Sequence, residues 1–431
     1  MLNTYNEALT WIHSLLKFGI KPGLKRVEWL LERTGHPEKE ITCIHVAGTN
    51  GKGSTVAYLR SMFNAAGYSA GTFTSPYLIS FNERISIDGN PIEEDELLRF
   101  ARLLKPLVEE VSQSSLGSPT EFEVITVISL LYFAEKKPDI IIYEVGLGGL
   151  FDSTNVITPI VSLITNIGFD HMGILGDTVE EIAFQKAGII KENVPVFSTV
   201  DQEPAVNIIK KKANEMSAEA SLSGIDFSYM HLGSSEHGEK FVFQGMRGSN
   251  LELEITMKGL HQVKNATLAL AAVEYLNSEK IYHFTHGQIK EGILSAFWAG
   301  RFEKAASSPD IILDGAHNLQ GIQALKQTLE HHYPSKNIYL LFAALHDKEY
   351  KTMMKELKDI IKGVYFTTFD FPRAAFANQL LAESPFQNAK AIEPWEEALA
   401  EAKKQLKGED ILVITGSLYF ISEVRKTFSK I

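Results

Sequence analysis

One stretch of this chain carries the residue types needed to hold a polyphosphate. Gly48-Thr49-Asn50-Gly51-Lys52-Gly53-Ser54 follows a β-branched apolar run, Ile41 to Ala47, and precedes a segment of helical character from Thr55 to Ala66. Glycines let backbone N–H groups close around anionic oxygens, and the start of the following helix adds partial positive charge. Lys52 would reach the outer phosphates of ATP, and Ser54 or Thr55 could approach a magnesium ion. The strict phosphate-loop pattern wants glycine where Val46 stands and Ser or Thr where Gly53 stands, so this is a variant loop. A plain glycine turn is the bland alternative. Gly48, the Gly-Lys-Gly run and Ser54 coinciding after an apolar strand argue against it.

Phosphoryl transfer is mostly positioning plus neutralisation of charge, which calls for hard ligands near the phosphates. Glu144 closes the apolar run Asp139 to Val145, where a carboxylate has little structural reason to be. His171 follows Asp170 just beyond a second such run, Ile160 to Thr165. A solvated strand end and a structural histidine are the competing readings. Lys186 stands on a helical segment, 178–187, where an ordinary exposed lysine is the default. The single cysteine, Cys43, lies in an apolar run and reads as a core thiol, and no intrachain disulfide is possible.

The elements that must position these residues alternate. Ile41 to Ala47, Tyr68 to Thr74, Asp139 to Val145 and Ile160 to Thr165 read as strands, with helical spacing over Glu93 to Val111 and Glu121 to Lys136. Runs that are apolar on both faces suit a parallel sheet covered by helices, so the fold expected is a doubly wound α/β domain. Residues 221–256 are short and polar with alternation in Lys240-Phe241-Val242-Phe243, and predict small antiparallel strands at an edge of that domain. Gly259 to Tyr275 predicts a long helix. The strand–helix series restarts near Phe297 to Phe302, with strands expected at Asp310 to Leu313, Ile338 to Ala343, Gly363 to Thr368 and Asp410 to Ile414. Two domains are therefore expected, residues 1–297 and 298–431.

Length and composition agree. A chain of 431 residues is too long for one ordinary core, and 45% apolar with 22% charged residues is the balance of a soluble globular protein. A net charge of −11 argues against a nucleic-acid partner. The first residues show no basic segment followed by an apolar stretch, and no apolar run approaches a membrane span, so a cytoplasmic protein is expected.

His45 to Ser54, HVAGTNGKGS, resembles the loop of the folylpolyglutamate synthases, a branch of the Mur ligase superfamily. The likeness runs along nearly the whole chain. It takes in Thr74-Ser75-Pro76-Tyr77-Leu78 with Phe81-Asn82-Glu83-Arg84-Ile85, Glu144 to Gly149, Asp152 to Val156, Asp170-His171 and Lys186 to Lys191. His261-Gln262 with Asn265-Ala266, Gly300 to Glu303, Asp314 to Asn318 and Thr415-Gly416-Ser417 follow in order.

The resemblance implies a P-loop-type doubly wound parallel-sheet ATPase domain, a smaller Rossmann-like C-terminal α/β domain, and a monomer. It implies that ATP phosphorylates the terminal carboxylate of a folate and that the amine of L-glutamate attacks the acyl phosphate. Bacterial relatives also join dihydropteroate to the first glutamate. By the same resemblance Gly48 to Ser54, Asn265, Arg301 and Asp314 contact ATP. Ser75, Glu144, His171 and Lys186 hold Mg²⁺ at two sites, Lys186 as a carbamate. Lys52, Lys186, Asp314 and His317 serve catalysis, and Ser75, Pro76, Tyr77, Arg84, Asp152, His317 and Ser417 meet folate or glutamate. For Arg84, a surface ion pair to Glu83 or Asp88 is the competing reading. A cleft between the domains, closing to exclude water, is the expected arrangement. The family often has Arg at Leu150 and Glu at Gln185; this is either a compensated swap or a loss. Two rival readings remain at this level: another Mur-type ligase acting on a cell-wall precursor, and a non-catalytic nucleotide-binding homologue.

Overall fold

The fold is taken from a computed structural model that describes residues 2–19 and 21–428. The chain divides into two compact units: residues 1–230, 242–253 and 264–296, and residues 231–241, 254–263 and 297–431.

The first unit is built on eight strands: β1 Cys43–Ala47, β2 Ala70–Phe73, β3 Ile85–Ile87, β4 Asn90–Pro91, β5 Ile140–Glu144, β6 Val161–Ile164, β7 Val196–Ser198 and β8 Ala220–Leu222. Their order is β4-β3-β2-β5-β1-β6-β7-β8. The strands from β2 to β8 in that order pair in parallel, and β3 and β4 add an antiparallel edge. The central strands are buried along their whole length, as expected of a sheet covered on both faces. One face is covered by a core that includes Ile12, Leu30, Phe73, Leu104, Ile128 and Phe133. Another core gathers Ile164, Ile182, Ile189 and Ile209.

Four segments that carry residues expected at the site lie at carboxyl ends of this sheet: the glycine loop after β1, Thr74-Ser75 after β2, Glu144 on β5 and residues 165–171 after β6. That is where open α/β sheets bind ligands, beside the point at which strand order reverses.

Strands β9 Ser228–Ser235, β10 Gly238–Gln244 and β11 Asn250–Ile255 form a sheet of their own, ordered β11-β10-β9. The sequence places them at an edge of the first domain, but residues 231–241 and 254–263 group with the second unit; β8 joins the large sheet, and does so in parallel. The predicted long helix spans Leu260–Ser278.

The second unit carries β12 Glu303–Ala306, β13 Asp310–Leu313, β14 Ile338–Phe342, β15 Ile361–Phe366, β16 Ala389–Ala391 and β17 Ile411–Thr415, ordered β12-β13-β17-β14-β15-β16. All pairs are parallel except β12 with β13. Its core gathers Ile322, Leu340, Phe342, Met353, Phe366 and Val413. Among the described residues no helix is long and apolar enough to cross a membrane.

Candidate active site

The helix Lys52–Ala65 begins directly behind Gly51, three residues earlier than its sequence suggests, so Lys52, Gly53 and Ser54 form its first turn. Gly48 has φ 153° and Gly51 φ 85°, backbone that favours glycine. Space forbids a side chain as well. A Cβ on Gly48 would lie 1.8 Å from Thr165 Oγ1, and one on Gly51 would lie 2.3 Å from Asn265 Oδ1. The Lys52 ammonium folds back on the loop, donating to the carbonyls of Gly48 at 3.1 Å and Thr49 at 3.3 Å. Ser54 is buried. The Thr55 hydroxyl donates to the Gly51 carbonyl at 3.0 Å, which leaves Ser54 as the loop hydroxyl suited to a metal.

The other side of the loop is held by the segment after β6. Asn166 Oδ1 accepts the N–H of Thr49 at 3.1 Å and of Asn50 at 2.8 Å. Thr165 Oγ1 donates to the Asn50 carbonyl at 2.5 Å. The Thr49 hydroxyl donates to the Gly168 carbonyl and accepts the Gly168 N–H. The Thr49 and Asn50 amides therefore hold the loop's shape, which leaves the amides of Gly51 to Ser54, at the start of the helix, as those suited to an anion. Asn166 escapes the sequence reading; its only signal there is an amide side chain directly after an apolar strand.

Glu144 is 4% exposed, so the solvated strand end does not apply. Its Oε2 accepts the Ser75 N–H at 3.2 Å, which brings two of the expected metal residues together. Lys186 is 3% exposed, so the exposed-lysine reading fails too. Burial, and then the Lys52 charge, pull its amine down to about 7, against the opposing charges of Asp170 and Asp152. His171 stands on another element, with φ 53° and its N–H bonded to Asp170 Oδ1 at 2.9 Å. Among the described residues no three His, Cys, Asp or Glu side chains form a ready-made metal cage. The donor set does fit Mg²⁺, which is held by one or two carboxylates together with substrate phosphates and water.

Asp152 is buried, and its oxygens are taken by protein donors: Leu147 N at 2.8 Å, Thr154 N at 3.0 Å and the Thr154 hydroxyl at 2.5 Å. Burial nonetheless pushes its carboxyl up. Because the Thr154 hydroxyl donates to Asp152, it accepts from His45 Nε2 at 2.8 Å. His45 is fully buried, burial pulls it down to about 3, and its Nδ1 has no hydrogen-bond partner among the described residues. Asp152 thus braces the loop after Glu144.

Arg84 is 8% exposed, and its ion partner is Glu121 at 3.5 Å. The competing reading, a surface pair to Glu83 or Asp88, therefore does not apply. Glu83 instead accepts the N–H groups of Leu78, Ile79 and Ser80, and Asp88 those of Asn64 and Ala70. The guanidinium lies over the rings of Tyr77 and Phe81, and its Nε–H lacks a hydrogen-bond partner among the described residues. Tyr77 and Arg84 are therefore brought together, behind Pro76 and Ser75. Leu150 and Gln185 also meet: the Leu150 N–H donates to the Gln185 carbonyl at 2.7 Å, and Leu150 packs on Gly188. The two departures thus form one neighbouring pair.

In the second unit Asp314 directly follows β13. Its Oδ2 accepts the Phe302 N–H at 2.9 Å and its Oδ1 the Ala316 N–H at 3.0 Å. Burial raises its carboxyl, and the Arg301 charge opposes this. Gly315 admits the Arg301 guanidinium: a Cβ there would lie 2.4 Å from Nη1. His317 Nδ1 faces the Gly315 carbonyl at 2.9 Å, which places the ring proton on Nδ1. Ser417 is buried after β17.

The model of the Mur ligase middle domain matches residues 46–273, and that of the Mur ligase glutamate ligase domain matches residues 300–418. A Bacillus subtilis dihydrofolate synthase/folylpolyglutamate synthase is 44% identical over 427 residues, 99% of each chain. The chain belongs to the folylpolyglutamate synthase family of Mur ligases. Among other members, the Lacticaseibacillus casei folylpolyglutamate synthase is 33% identical, with 98% of each chain covered. The Mycobacterium tuberculosis folylpolyglutamate synthase, solved with ADP and AMPPCP, superposes with a TM-score of 0.91 at 28% identity over 99% of each chain. The Escherichia coli FolC, solved with DHPP and ADP, gives 0.86 at 29% identity, covering 98% of this chain and 97% of its own. A doubly wound middle domain followed by a C-terminal α/β domain is the architecture these Mur ligases share.

Proposed function

We propose that this chain uses ATP to convert the γ-carboxyl of a reduced folate into an acyl phosphate and joins it to the amine of L-glutamate, with dihydropteroate as a second acceptor. The observation that carries this reading is a phosphate loop whose lysine lies within the field of a second, buried lysine, beside a buried Glu144 bonded to Ser75. The Bacillus subtilis relative bears both activities in its name.

In this reading Gly51 to Ser54 receive the phosphates, and Lys52 leaves the Gly48 and Thr49 carbonyls for their outer oxygens. Asn265, Arg301 and Asp314 complete the nucleotide contacts. Ser75, Glu144, His171 and Lys186 would hold Mg²⁺, which supplies charge neutralisation on the phosphate oxygens. An amine titrating near 7 is substantially neutral at physiological pH, the form that adds CO₂; carbamylation of Lys186 releases one proton and leaves an anionic oxygen ligand. Pro76, Tyr77 and Arg84 lie on the folate side, with Asp152 shaping the adjoining loop. His317 and Ser417 serve the glutamate end. Residues 1–297 are proposed as the ATP- and folate-binding part and 298–431 as the glutamate-ligating part of a cytoplasmic monomer.

The test supplies ATP and L-glutamate with tetrahydrofolate, with dihydropteroate, or with nucleotide-linked muramyl substrates, and reads the products by mass. Glutamate addition to the folates supports the reading. Turnover with the muramyl substrates alone would sink it, and so would binding of ATP and folate without any product.

A further inference from the structure

The segment 165–168 grips the phosphate loop through three residues. The Thr165 hydroxyl holds the Asn50 carbonyl at 2.5 Å. Asn166 presents one amide oxygen to two consecutive N–H groups, those of Thr49 and Asn50, and its backbone carbonyl accepts the Thr49 N–H as well, at 3.0 Å. Gly168 exchanges two hydrogen bonds with the Thr49 hydroxyl. Both partners of the side-chain oxygen are donors, so the amide can face only one way. Gly48 must lack a side chain because the Thr165 hydroxyl occupies that space. Three residues beyond Gly168 the same segment reaches His171, whose backbone is fixed at φ 53° with its N–H on Asp170. Asp170 in turn faces the Lys186 amine electrostatically.

We infer that Asn166 is a positioning residue that sets the phosphate loop in register with the His171 segment, so that nucleotide binding and metal binding reinforce each other. In this role Asn166 acts through the loop and not by contact with either ligand. It spends its oxygen on the two loop amides that hold the loop's shape, and so fixes where the remaining amides point. A loop released from Asn166 still has its glycines and Lys52. What it loses is a fixed distance to the residues that meet the metal. This inference rests on the reading of the loop as a nucleotide site that works with Mg²⁺.

The experiment measures ATP affinity of the full chain by calorimetry, once with Mg²⁺ and once with EDTA. The ratio of the two dissociation constants reports the coupling. In Asn166→Ala the affinity with Mg²⁺ falls about tenfold, and the ratio shrinks at least about fivefold. Asn166→Asp keeps an acceptor for both N–H groups. Its added charge weakens ATP under both conditions, but the ratio stays at or above that of the unaltered chain. Thermal melts accompany each variant. A ratio unchanged within about twofold in Asn166→Ala, with only the melting temperature lowered, makes Asn166 a support of the fold and overturns the inference. An unaltered chain that binds ATP equally with and without Mg²⁺ also overturns it, but leaves glutamate ligation to be judged by its own product assay. An unaltered chain that binds no ATP overturns the nucleotide reading itself.

Discussion

The Lys186 amine is out of reach of water, and that dictates how it responds to pH. Its folded value is about 7, against 10.5 for a lysine in solvent. Between those values the unfolded chain binds more protons than the folded one, so this residue's contribution to stability rises with pH from about 7 to about 10.5. Below about 7 the full cost of a buried ammonium applies. Ligase activity that depends on a Lys186 carbamate should likewise rise from pH 6 to pH 8 and respond to bicarbonate. Lys186→Gln should lose about a hundredfold in turnover or more, and should lack the mass of CO₂ found on the unaltered residue by native mass spectrometry. A flat response to bicarbonate would count against the carbamate. Thr154 offers a second test at this scale, because it is the shared partner of His45 and Asp152. Thr154→Val strands two buried polar groups and should cost about 2–3 kcal/mol in denaturant melts, whereas Thr154→Ser should stay within about 1. Lys52 and Glu144 are legible from residue type and position, and Lys186 only through the family resemblance, since a lysine on a helix reads by itself as exposed. Asn166 and His45 are not, because their partners lie 116 and 109 residues away, and no local pattern encodes such a pairing.

At the scale of elements, β1, its loop and the helix behind it are legible because an apolar β-branched run, two glycines with positive φ and a buried helix face each leave a separate mark. Strands of three or four residues, such as β7, β8, β12 and β16, leave too short a record for a period of two to show. The helices Tyr5–Ser14 and Lys25–Arg33 also escape the sequence reading, although Val27, Leu30 and Leu31 have helical spacing and pack into the first unit's core. The strand–loop–helix element predicts a graded result. Gly48→Ala drives a Cβ into Thr165 Oγ1 and imposes a φ of 153° that alanine resists. ATP affinity should fall by about 2 kcal/mol or more, roughly thirtyfold, with the melting temperature lowered only a few degrees. Adding Thr165→Ala removes the collision but not the backbone strain, so calorimetry should show partial recovery. Full recovery would mean that the collision alone excludes a side chain there.

The whole molecule distributes its chemistry over two compact units, and one part of that division is not visible along the chain. The restart of the strand–helix series near residue 300 is local and readable. The grouping of residues 231–241 and 254–263 with the later chain is not, because it depends on neighbours met only in the fold. Glu239 illustrates this. It sits on β10, yet one oxygen accepts from His332 at 2.8 Å and from the Gly259 N–H at 2.6 Å, while the other faces His231 at 2.9 Å. These bonds, together with one from Ser234, hold the carboxyl down to about 2 despite burial. The division carries a functional consequence. The phosphate loop, Ser75, Glu144, His171 and Lys186 all belong to the first unit, whereas His317 and Ser417 belong to the second, together with Arg301 and Asp314, which are proposed to reach the nucleotide from there. Nucleotide binding and glutamate use should then separate by mutation. His317→Ala and Ser417→Ala should each leave ADP affinity within about threefold of the unaltered chain, since the proposed function gives both to the glutamate end. The same variants should raise KM for L-glutamate or lower kcat by about tenfold to a hundredfold, as expected when a positioning contact to one substrate is lost. Calorimetry with ADP and initial rates over a glutamate series decide the matter. A parallel loss of ADP affinity and glutamate use would show that the two functions are not divided between the units in this way.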